Sequence, residues 1–71
     1  MNKTQFDIIA DRLIKSHAQR DAVRAVFFND MSCYAAEHSY QRPAATVSRD
    51  VKRVTELYEF CVKVNEAPAL Q

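Results

Sequence analysis

The chain contains no glycine, whereas average usage is about 7%. Tight hairpin turns and left-handed helix ends ordinarily rest on glycine, which alone reaches positive φ without a steric penalty. A fold made of many such turns is therefore disfavoured. Proline occurs only at positions 43 and 68 and alanine is plentiful, so long stretches carry no helix breaker. Helices are the expected element throughout.

With 71 residues, the chain is expected to form a single domain spanning residues 1–71. A chain of this size buries only about 60 to 65% of its unfolded-state surface. Its core is marginal, and association with a second copy is the natural source of further burial. Cys33 and Cys61 are too few and too far apart for a disulfide framework, and both read as small buried hydrophobes. Together with His17 and His38 they match no zinc-ligand spacing, so no metal is expected. No apolar run approaches the 18 residues of a membrane span, and residues 1–7 lack a signal-peptide layout. The expected setting is cytoplasmic, nucleoid- or plasmid-associated in a bacterium, with no membrane partner.

Apolar periodicity predicts a compact all-α bundle of four helices, or five if the last interval divides. The first helix is expected to open at Thr4, with Asp7 in its first turn. Phe6, Ile9, Ala10 and Leu13 form its apolar stripe, and Ile8 and Ile14 widen that stripe beyond one contact face. Ser16 and Gln19 have capping-box spacing and start a helix through Val23, Val26 and Phe27 to about Phe28. Asn29 and Asp30 read as a loop. Ser32 caps a short third helix ending near His38 or Ser39. The fourth is expected to begin at Gln41 or Arg42, with Pro43 in its first turn, and nothing interrupts it before Asn65. Val47, Val51, Val54, Tyr58 and Cys61 form its seam. Leu57, Phe60 and Val64 form a second stripe that, with Cys61, is the expected dimer interface; the first helix is the other candidate. Residues 66–71 are expected to fray.

Charge is distributed unevenly. The whole chain carries +1, whereas residues 42–53 hold four cations and one acid, Asp50, for a local +3. At about 100° per residue, Val47, Val51 and Val54 fall on one side of this segment and Arg42, Ala45, Arg49 and Arg53 on the other. Thr46 and Lys52 flank them. The valines anchor the helix while the opposite face is free to enter a major groove of double-stranded DNA. Arg49 is the expected bidentate partner of a guanine, and Ala45 or the Thr46 methyl would meet a thymine methyl. Arg42 would contact a base or a phosphate. Lys52, Arg53, Ser48 and the Tyr40 hydroxyl are expected at phosphates. Arg20 and Arg24 read as a solvated helix face, with an extension of the phosphate footprint as the alternative.

Residues 46–49, Thr-Val-Ser-Arg, resemble a run found in recognition helices of many bacterial repressors. Residues 22–30, the alanine-rich third helix and residues 45–54 together resemble the DNA-binding part of the TrfB/KorA-type plasmid repressors, over roughly residues 22–58. The resemblance implies a helix-turn-helix, a homodimer, a palindromic operator and transcriptional repression of plasmid or mobile-element genes. The chain departs from that pattern in having no glycine in the turn and a turn about one residue longer.

Asp7, Asp11 and Asp21 are scattered, no nucleophile has a base at useful spacing, and a chain this small offers little room for a substrate pocket. Neither an enzyme nor a cofactor or small-molecule ligand is expected. The rival reading is a protein-interaction module, an inhibitor or antitoxin docking through the apolar C-terminal stripe.

Overall fold

A computed structural model describes residues 1–67. It is an all-α bundle of α1 (Lys3–Leu13), α2 (His17–Phe28), α3 (Cys33–Ser39) and α4 (Thr46–Glu66). Of the described helices, none is long and apolar enough to cross a membrane. Helix α4 packs against each of the other three, and α2 packs against α1 and α3.

Each of the first three helices starts on a side chain that satisfies an otherwise orphan amide. Helix α1 begins earlier than the sequence pattern predicts, because Asn2 rather than Thr4 caps it. The Gln5 amide donates to Asn2 Oδ1 at 2.8 Å and the Asn2 amide donates to Gln5 Oε1 at 2.9 Å, a reciprocal capping box. Ser16 caps α2 by accepting the Gln19 amide at 3.3 Å. That box is not reciprocal, since the Gln19 side chain is committed elsewhere. Ser32 caps α3 through the Ala35 amide at 3.0 Å.

The core gathers Phe6, Ile9, Ala10 and Ile14 with Ala22, Val23, Ala36, Val47 and Val54. Phe6, Val23, Val47 and Val54 are its largest fully buried side chains, each worth about 1.5–3 kcal/mol in apolar transfer. The buried alanines let the helices approach closely around them. Phe6 meets Phe27 and Phe28 at ring-centroid separations of 5.5 and 5.6 Å, tilted and edge-on, the arrangement aromatic quadrupoles prefer. Ile14 is not surplus to the core, as its position on the wheel predicts; it ends α1 with extended backbone and turns inward. Ile8 does stay outside.

The start of α4 differs most from expectation. It begins at Thr46, not at Gln41 or Arg42, and Pro43 lies in the connection instead of the first turn. Two features end α3 and delay α4. Gln41 adopts φ 53°; its amide donates to the His38 carbonyl at 3.3 Å and the Arg42 amide to the Glu37 carbonyl at 2.8 Å. This is a Schellman closure with glutamine where glycine is usual. Arg42 then precedes proline, which disfavours helical backbone. The connection therefore spans residues 40–45, longer than the three or four residues of a typical helix-turn-helix.

From Thr46 the helix runs unbroken to Glu66, so the last interval is one helix and not two. Its seam holds through Val54 and weakens beyond. Tyr58 is half-buried and Cys61 is exposed, because the bundle that covers the first half of α4 does not extend over its end. Cys33 is only half-buried. The prediction of two buried cysteines is thus corrected at both positions. Glu66 is still helical and Ala67 caps the end; the rest of the tail expected to fray lies outside the described residues.

Candidate nucleic-acid interface

Helix α4 is held at its N-terminus by a device invisible in local sequence. Its N-cap, Ala45, sits in left-handed backbone at φ 67° and offers no side-chain acceptor. Glu37 of α3 supplies one: its Oε2 accepts the Val47 amide at 3.0 Å. A carboxylate at this end also complements the helix dipole. The link fixes α3 against the first turn of α4, the two elements that the sequence pairs as a helix-turn-helix.

One turn further on lies a polar cluster inside the protein. Asp50 is 2% exposed and Gln19 5%. Gln19 Nε2 donates to Asp50 Oδ2 at 2.9 Å, joining α2 to α4. The second oxygen, Oδ1, accepts from Arg49 Nε at 3.3 Å and from Arg53 Nη1 at 3.1 Å. Arg42 completes the chain by donating from Nε to Gln19 Oε1 at 2.7 Å. Burial raises the Asp50 carboxyl pKa, but hydrogen bonds from Gln19, Arg49 and Arg53 and the charge of Arg49 outweigh it, leaving the group below its ordinary range. Asp50 stays ionised, and three guanidiniums are set in place by one carboxylate and one amide.

The structure brings Arg42, Thr46, Arg49 and Arg53 to one cleft, which Lys15 and Ser16 of the α1–α2 junction also line. Thr46 is partly tied down, its hydroxyl donating to the Pro43 carbonyl at 2.7 Å. Ala45 is exposed beside it. Ser48 is exposed too, with its hydroxyl donating to the Ala45 carbonyl at 3.1 Å. Lys52 stands apart from the cleft, its Nζ 3.9 Å from Glu56 of the next turn. Tyr40 caps the end of α3 and packs against the core. Of the stripe at the other end of α4, Phe60 is 63% exposed, Val64 57% exposed and Cys61 exposed. Leu57 is half-buried against the core.

Sequence reasoning missed Gln19, Asp50, Glu37, Lys15 and Ser16 as parts of this region. One signal was present. On the wheel Asp50 falls next to the Val47–Val54 seam, and an acid there, with arginines one residue before and three after, is placed for a buried ion cluster. Nothing local identifies Gln19 as its partner, 31 residues away in the chain.

The chain matches no family model, no curated protein and no solved structure.

Proposed function

We propose that this chain is a sequence-specific double-stranded-DNA-binding transcriptional repressor, acting as a homodimer on a palindromic operator of plasmid or mobile-element genes. The observation that carries the reading is the division of α4. Val47, Asp50 and Val54 are buried in the bundle, while the Arg49 and Arg53 side chains, 63% and 46% exposed, keep N–H donors beyond the one each gives to Asp50. Arginines held in this way suit bidentate recognition of guanine and of phosphate. The packing of α3 on α4, and the resemblance of residues 22–58 to TrfB/KorA-type repressors, support the same reading. Arg49 is assigned to a base, Ala45 and Thr46 to thymine methyls, and Arg42, Ser48, Lys52, Arg53 and Tyr40 to phosphates.

The homodimer is assigned to the exposed Phe60 and Val64 with Leu57 and Cys61. If two α4 helices paired antiparallel around Phe60, Glu56 of one copy would face Lys63 of the other, and the reverse. The two Arg49 residues would then lie about 33 Å apart at 1.5 Å rise per residue, close to the roughly 34 Å of one duplex turn. The same exposed apolar residues favour a second reading, a module that docks a different protein. Salt separates the two, because binding through many phosphates weakens steeply between about 50 and 200 mM salt and apolar docking does not.

The test is selection of random duplexes by the purified protein, read by sequencing, followed by anisotropy titration of the winning site. A palindromic motif is expected. Arg49→Ala should lose about 1–3 kcal/mol on that site and relax preference at one base position. Unchanged affinity and preference in Arg49→Ala would remove Arg49 from the recognition role, and no enriched motif would sink the repressor reading.

A further inference from the structure

We infer that the cleft between the α1–α2 junction and the start of α4 is a phosphate seat, formed by Lys15, Ser16, Arg42 and Arg53 over the buried Gln19–Asp50 pair, with the base-assigned Arg49 on its rim. This deepens the reading above and rests on it for the source of the phosphate, which is assigned to a phosphodiester of bound duplex.

Four cations line the cleft against one acid, Asp50. That acid is already spent: both of its oxygens accept hydrogen bonds from Gln19, Arg49 and Arg53. An incoming anion therefore meets an excess of positive charge and not a free carboxylate. Each arginine uses one N–H to hold its place, Arg42 and Arg49 through Nε and Arg53 through Nη1. A guanidinium has five N–H donors, so most of each fork remains for a ligand. The Ser16 oxygen accepts from the Gln19 amide, which leaves its own O–H to donate. Among the described residues no buried side-chain nitrogen or oxygen lacks a partner. The relay is complete before any anion arrives, so binding does not have to order it.

Size narrows the ligand. The cleft holds about 230 Å³, below the roughly 300–1,000 Å³ of pockets that enclose organic ligands. It accommodates a phosphate group presented from outside better than a whole nucleotide. Planar guanidiniums favour phosphate geometry over a spherical anion such as chloride. The site also lies beside the Arg49 face, so a backbone phosphate seated there would set the depth at which α4 enters a groove.

The experiment has two arms. In the first, the intact protein is titrated with inorganic phosphate at constant ionic strength, with chloride as the balancing anion, and followed by backbone and arginine Nε–H NMR. Saturable shifts centred on Lys15, Ser16 and the Nε–H groups of Arg42 and Arg53 are expected, and they should collapse in Lys15→Gln. Shifts that are absent, or that spread evenly over surface lysines, overturn the seat. In the second arm, Lys15→Gln and the parent are titrated with the selected duplex. Roughly fivefold weaker binding, with the salt slope lowered by about 1, assigns the phosphate to the duplex backbone. If inorganic phosphate binds at the cleft while no duplex binds the parent, the seat stands with a free phosphate as its ligand and the repressor reading fails. A duplex bound equally by parent and Lys15→Gln removes the backbone from this cleft.

Discussion

Two sets of arginines, one on α2 and the other on α4 and the connection before it, are treated in opposite ways. On α2, Arg20 pairs with Asp11 at 2.8 Å and also meets His17, and Arg24 pairs with Asp7 while lying over the Phe6 ring at 5.8 Å. Each guanidinium there has its own carboxylate from α1. Around the start of α4, Arg42, Arg49 and Arg53 depend on one carboxylate and the amide of Gln19. The first arrangement neutralises charge and ties two helices together. The second leaves charge unbalanced and fixes its direction. Counting arginines alone, two against three, barely separates the two regions. Counting the acids that answer them separates a structural seam from a surface equipped to receive an anion.

The largest test of that contrast is stability. Asp50→Ala leaves the buried Gln19 amide without its acceptor and releases two arginines, and it should cost about 2–3 kcal/mol in urea unfolding. Asp11→Ala breaks an exposed pair and should cost less than about 1 kcal/mol. Equal losses would erase the distinction. A second, smaller effect concerns acid. The Asp50 carboxyl lies below its ordinary value near 3.8 in the folded protein, so its contribution is complete above that value and is lost as pH falls through the folded-state value. The stability gap between the parent and Asp50→Asn should be constant at higher pH and narrow on that acid limb. Asp11→Asn should keep the limb. Smallest is a change in salt response. Lys52→Ala should lower the slope of duplex affinity against salt by about 1, whereas Arg24→Ala, already answered by Asp7, should leave it unchanged.

The contrast also shows what could be read from the chain itself. Helix number and type, the caps at Ser16 and Ser32, and the core positions Phe6, Val23, Val47 and Val54 follow from apolar period and capping chemistry, which act within a few residues. The late start of α4 does not. It depends on Gln41 and Ala45 adopting left-handed backbone, and neither residue type announces it. Asp50 was legible as an acid in a basic segment, but its burial depends on Gln19 from another helix. The helical wheel puts Arg42 on the open face, and its half-buried position comes from that same amide. Long-range partnership with Gln19, not local propensity, decided the last two.

Gln41 and Ala45 bracket the connection before α4, and each holds positive φ without being glycine, at roughly 1–2 kcal/mol relative to right-handed backbone. Glycine at either site would relieve that strain, yet it would also give the free chain more conformations to choose from. The present residues make the corner stiff. A corner without slack transmits any tilt of α3 directly to the first turn of α4, and it leaves little tolerance for insertion. Lengthening residues 40–45 by even one alanine should therefore disturb the reach of Arg49 more than the folding of the bundle.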